Sequence, residues 1–151
     1  MPIPNDALVL VVDGRKSTLL RNHGDEKQID LRTVSHEERK DAKDHELKSD
    51  APGTSRQSGG FGHPAYEDTD YHQQAEDQFA EAVADDINRR ALAGEIKGLA
   101  VIAPPRTLGH LRKHWRKETQ QHILIEIDKE MTDRPTPDIE ALLIGHSKPP
   151  S

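Results

Sequence analysis

Residues Ala7 to Val12 (ALVLVV) form an unbroken apolar run that ends at Asp13-Gly14. A strand with one wet face alternates apolar and polar residues. A run with no polar member reads instead as a strand buried on both faces. Asp-Gly between apolar runs is a short-hairpin signal, so Ser17 to Asn22 reads as a second strand returning along the first. Asn22-His23-Gly24-Asp25 is a further turn. After it, Ile29, Leu31 and Thr33 alternate with Asp30, Arg32 and Val34, which predicts a third strand with one face in solvent. The chain thus opens as a three-stranded antiparallel meander.

From Ser35 to Asp50 the pattern collapses into charge (SHEERKDAKDHELKSD), with Leu47 as the single large apolar residue. APGTSRQSGGFGHP follows, a turn-rich composition. Residues 35–69 therefore read as one long connection, of the kind that is either functional or disordered. Asp68, Thr69 and Asp70 are candidate N-caps of a long helix. Its inward face is predicted from Ala75, Phe79, Ala82, Val83, Ile87 and Ala91, and its stop from Gly94. Leu99 to Ala103 is a second buried strand, closed by Pro104-Pro105. A helix to Lys117 carries Leu108, Leu111 and Trp115 inward. Ile123 to Ile127 is the next strand. The last helix opens with Thr136 as N-cap, Pro137 at its first position and Asp138 in its first turn. Ile139, Leu142 and Leu143 form its apolar face and Gly145 its stop. The order βββ-α-β-α-β-α over residues 1–146, with 147–151 as a tail, predicts a single α/β domain. Its mixed sheet would be flanked by helices, in ribonuclease-H-like order.

Composition bounds the function. Apolar and charged residues are each 32% of the chain, and the apolar ones are clustered. A net charge of −6 argues against coating nucleic acid by bulk charge, but leaves room for a local basic patch. There is no cysteine, which removes disulfides, thiolate nucleophiles and cysteine metal sites. The start lacks a basic n-region, and no apolar run has the length of a membrane span. The expected setting is the cytoplasm.

Three groups of residues are candidates for function. Gly59 and Gly60, with Phe61, His63, Tyr66 and Tyr71 around them, could present a loop whose aromatics stack on bases or enter a protein pocket. The plain alternative is a surface loop whose aromatics fold back on the domain. Arg106, Arg112, Lys113, Arg116 and Lys117 occur with no acid until Glu118. They could contact phosphates, or form a solvated helix face. His110 and His114 are spaced like metal ligands, but the interleaved cations repel a metal, and no metal or other cofactor is expected. Asp13, at the end of the first strand, has Glu126 and Asp128 as strand-end partners for a metal nuclease. Asp13 already has a role as a turn residue before Gly14. Residues 57–88 contain no Lys or Arg, so the helix beside the loop repels an RNA backbone.

LVLVVDGRKSTLLRN, APPRTLGHLRKHW and EIDKEMTDRPTPDIEALL resemble the opening, middle and closing segments of the bacterial host attachment proteins ("required for attachment to host cells"). These are relatives of the middle domain of archaeal and eukaryotic peptide-chain release factors and of Pelota. The resemblance implies that fold, and a loop at the position where release factors carry the Gly-Gly-Gln that enters the peptidyl-transferase centre. Here Gly59-Gly60 is followed by Phe61, with Gln57 before the glycines and Gln73-Gln74 well after them. The resulting reading is a non-enzymatic binding module whose partner is the ribosome, tRNA or a protein. The alternatives are a degenerate peptidyl-tRNA or RNA hydrolase acting through Asp13 or the loop, and an indirect role in attachment to host cells.

Overall fold

A computed structural model describes residues 3–39 and 65–147, with side chains over 3–39 and 71–146. Five strands form one mixed sheet: β1 (Leu8–Val12), β2 (Lys16–Asn22), β3 (Leu31–Glu38), β4 (Leu99–Ala103) and β5 (Ile123–Asp128). Their order across the sheet is β3-β2-β1-β4-β5. β2 runs antiparallel to both β1 and β3, whereas β4 runs parallel to β1 and β5 parallel to β4. The helices are α1 (Ala65–Leu92), α2 (Pro105–His114), the single turn α3 (Lys117–Gln120) and α4 (Thr136–Ser147).

Every residue of β1 and β4 is buried, because both strands lie between two helical layers. On one face Leu8, Leu10, Leu99 and Val101 pack against Ala80, Val83, Ala84, Ile87 and Ala91 of α1 and Leu108, Leu111 and Trp115 near α2. On the other, Val9, Val11, Ala100 and Ile102 pack against Ile139 and Leu143 of α4 and Ile3 of the N-terminal segment. Each buried Leu or Ile contributes about 2 kcal/mol of apolar transfer, so these two strands anchor both cores. This is the mixed α/β sheet with flanking helices that the element order implied.

Several boundaries differ from the sequence reading. β3 continues through Glu38, well into the charged run, because its pairing with β2 persists to Lys16 opposite Glu38. An edge strand tolerates charge on its open side. Leu31 is its one buried residue, and Ile29 precedes it. The alternation fails at Val34: Leu20 faces Thr33 but Leu19 faces Ser35, so Val34 is an extra residue in a β-bulge and is 40% exposed. α1 begins at Ala65, not at Asp68 to Asp70. Its buried stripe is Ala80, Val83, Ala84, Ile87 and Ala91, while Ala82 is exposed and Ala75 and Phe79 only partly covered. Alanine at 75, 80, 82 and 84 fits two neighbouring stripes equally well, and packing selects one. α1 ends at Leu92 and Gly94 is its stop, taking φ 79° while Glu95 N–H bonds Arg90 O at 2.9 Å. Gly145 lies inside α4 and stops nothing.

The basic helix is two helices. After His114 the backbone is extended at Trp115 and Arg116, then turns again at Lys117. Trp115 leaves the helix to enter the core. Asn88 of α1, 5% exposed, replaces the lost helical bonds. Its Nδ2 donates to His114 O (2.9 Å), and its Oδ1 accepts from Arg116 N (3.0 Å) and the buried Thr119 hydroxyl (2.5 Å). Removing this amide strands the buried Thr119 hydroxyl and leaves the half-buried His114 O and Arg116 N without their partner. Asn88→Ala is expected to destabilise the fold by about 2 kcal/mol in urea unfolding. A change within about 0.5 kcal/mol, the range of ordinary surface substitutions, would show that the corner is held otherwise.

Candidate functional site

β1, β4 and β5 are parallel and end in one row: Val11 lies opposite Ile102, and Ala103 opposite Asp128. β3 ends at the same edge, because Glu38 pairs with Lys16. The turn Asp13–Lys16, the start of α2, the β5–α4 loop and the chain beyond β3 therefore all emerge together. α1 meets this edge as well. A Cβ on Gly14 would lie 2.6 Å from Glu76 Cγ, so only glycine admits the helix so close to the turn.

Asp13 organises the edge. Its Oδ1 accepts from the N–H groups of Arg15 and Lys16, both at 2.8 Å, and its Oδ2 from the Thr132 hydroxyl at 2.6 Å. Partial burial alone raises its pKa; the Thr132 bond, the two backbone bonds and the Lys16 charge outweigh this and leave the pKa below its ordinary 3.8. The same Thr132 hydroxyl lies 2.8 Å from Glu130 Oε1. Lys16 Nζ donates to Asp133 Oδ1 at 2.8 Å, a second tie from the hairpin to the β5–α4 loop. Arg39 completes the cluster: its N–H donates to Arg15 O (2.7 Å) and its Nε to Gly14 O (3.2 Å).

The carboxylates considered for a metal nuclease do not converge. Asp13 continues the Val9–Val11 alternation toward the α4 face, where Thr132 meets it. Glu126 lies on the opposite face, accepting from Arg112 Nε at 2.8 Å. Asp128, two residues on, shares Glu126's face. No group of three or more His, Asp or Glu among the described residues is placed to hold a metal ion. His110 and His114 meet at a tilt of 49° with ring centroids 5.2 Å apart, and His110 Nδ1 faces Asp77 at 3.7 Å.

The five basic candidates do not make one patch. Arg106 stands at the shared edge, 3.6 Å from Asp77 of α1. Arg112 is spent on Glu126. Lys113 is exposed further along α2. Arg116 and Lys117 lie at the Asn88 corner, eleven residues beyond Asp77 on α1, which is about 16 Å along the helix. Sequence reasoning missed Arg15, Arg39 and the Thr132–Asp133 pair. The Asp13-Gly14 turn was the one available signal, since MTDRPT has no periodicity to mark it. Among the loop candidates, Gly59, Gly60, Phe61 and His63 lie outside the described residues. Tyr66 and Tyr71 belong to α1, not to a loop. Tyr71 is 48% exposed and meets His72 edge-on at 5.9 Å between centroids. Of the loop's described ends, Arg39 lies at the Asp13 edge; α1 begins eleven residues before Glu76, the residue that meets Gly14, about 16 Å along the helix.

Residues 6–143 match the model of bacterial archaeo-eukaryotic release factor family 12. No curated protein matches the chain. Among solved structures, it is similar to an archaeal translation termination factor, with a TM-score of 0.48 and 13% identity over 93% of this chain and 37% of that one. It is also similar to a structure described as an archaeal protein, with a TM-score of 0.45 and 12% identity over 93% of this chain and 36% of that one. The chain thus spans a little over a third of each of these two structures.

A carboxyl whose folded pKa is depressed stabilises the fold above its unfolded pKa and loses that contribution as pH falls through the folded value. Asp13→Asn keeps the turn's acceptor oxygen but loses the charge. It is expected to cost about 1 kcal/mol at neutral pH, after allowance for solvent screening of a half-exposed group. The difference from the parent should shrink toward zero as pH falls through the depressed Asp13 pKa. A difference that stays constant across that acid range would refute the charge-based account.

Proposed function

The chain belongs to bacterial archaeo-eukaryotic release factor family 12, and we propose that it is a non-enzymatic binding module that contacts ribosomal RNA or tRNA through the Asp13 edge. The observation that carries this is that Arg15 and Arg39 flank Gly14, while Arg106, from a third segment, stands against Asp77, the neighbour on α1 of the Glu76 that packs on Gly14. Guanidinium groups bind phosphate oxygens bidentately, and three from separate segments can engage successive phosphates. The described chain before residues 40–64 ends at this same edge, at Arg39.

A binding role is also supported by how the acids are used. Both Asp13 oxygens are occupied, Glu126 is paired, and Phe61 follows Gly59-Gly60 where release factors have Gln. No helix among the described residues is long and apolar enough to cross a membrane. On this reading the protein works in the cytoplasm, and any influence on attachment to host cells is indirect.

Co-sedimentation with ribosomes at low and high salt tests the proposal. Binding is expected at low salt and to fall as salt rises. Each of Arg15→Gln, Arg39→Gln and Arg106→Gln should lower the salt slope by about 0.7. Absence of binding at low salt would overturn it. Binding indifferent to salt would point to a protein partner instead. Cleavage of peptidyl-tRNA or RNA that is lost in Asp13→Asn would favour the hydrolase reading.

A further inference from the structure

We infer that a notch on the α4 face of the sheet, away from the three arginines, binds a small organic phosphate. α4 reaches β3 at one end of the sheet, where Glu140 accepts from Leu31 N (2.8 Å), but its first turn and the loop before it stand off from the Asp13-edge halves of β2 and β3. This leaves a cavity of about 380 Å³ between the outer half of the sheet and the start of the helix. That volume lies within the range of small-ligand sites. Its floor is apolar: Val11, Leu20 and Ile139. Its rim is made of donors, with Arg134 on the helix side and Thr33 and His36 on the strand side.

The bulge at Val34 builds this rim. In a regular strand, residues three apart point to opposite faces. Thr33 and His36 are three apart, yet both enter the notch, because the extra residue shifts the alternation between them. Bulges that re-aim a side chain are over-represented beside active sites. His36 is held in place by its cross-strand partner, with Thr18 Oγ1 2.7 Å from His36 Nδ1.

The polarity of the rim selects the ligand. No carboxylate lines the cavity. Two acids stand behind the lining Thr132, whose hydroxyl is held by Asp13 Oδ2 (2.6 Å) and Glu130 Oε1 (2.8 Å), so the free donors are those of Arg134, His36, Thr33 and Thr136. The acids facing these donors are Asp138, 3.9 Å from Arg134, and Glu38, 3.9 Å from His36, and both side chains are about half exposed. Contacts that long and wet hold neither group strongly. The helix start is not the anion donor. Pro137 has no N–H, and those of Asp138 and Ile139 turn back to Pro135 O. An arginine fork, an imidazole and threonine hydroxyls offer more donors than a carboxylate can use, and suit the oxygens of a phosphate. The apolar floor then takes the body of the molecule.

The test is a titration of the full chain with adenosine 5′-monophosphate followed by amide NMR shifts, with adenosine and inorganic phosphate as separate arms. Saturable shifts are expected at Thr18, Thr33, His36 and Arg134. The nucleotide should bind at least about tenfold more tightly than either fragment. Arg134→Gln, on an exposed loop, should weaken binding about tenfold, and His36→Gln should weaken it as well. No saturable shift, adenosine binding as tightly as the nucleotide, or undiminished binding by Arg134→Gln would each overturn the inference. Arg134→Gln should also leave ribosome co-sedimentation unchanged. Its loss there would make the notch part of the RNA surface and overturn a separate ligand site.

Discussion

The structure depends on burying β1 on both faces. Leu8 to Val12 are each no more than 1% exposed, and the parallel neighbour β4 is likewise enclosed. A strand with no polar residue must be covered twice. The chain meets this need with α1 and α2 on one side and α4 on the other. Parallel pairing of β1, β4 and β5 then brings three strand ends, and the loops after them, to a single edge. The position of the candidate site is a consequence of core burial.

Buried or shared polar groups set the details that apolar packing leaves open. Asp13 fixes the β1–β2 turn and ties it to Thr132, far away in sequence. Asn22, also buried, does the same at the other end of the sheet, donating to Ile3 O at 3.0 Å and accepting from the N–H groups of Gly24 and Asp30, each at 2.9 Å. Asn88 shapes the break in the basic segment. Each serves several backbone groups at once, so each defines one geometry where hydrophobic contact would accept several.

The elements with strong local signals were legible in the sequence. The hairpin at Asp13-Gly14, the two fully apolar strands, the stop at Gly94 and the apolar face around Ile139 and Leu143 stand where their residues predict. What failed had no local signal. β3 extends into charge because β2 continues to offer partners, and the Val34 bulge comes from pairing that no single-strand pattern encodes. The alanine-rich stripe of α1 was misplaced because alanine scarcely distinguishes one helix face from the next. The basic run reads as one patch in sequence. In the fold Arg112 meets Glu126, Arg106 meets Asp77, and the chain turns a corner at Trp115.

The sequence alone therefore determined the element order, the two strands that must be enclosed and the turn that ends the first of them. These follow from residue chemistry over a few neighbouring positions. Tertiary structure alone decided which cations remain available, that Asp13 answers to Thr132 and not to Glu126, and that Thr33 and His36 look into the same notch. Those outcomes depend on sheet register and on contacts across as many as 119 positions of sequence separation. Pairwise contacts of that range leave no periodic trace in a single chain.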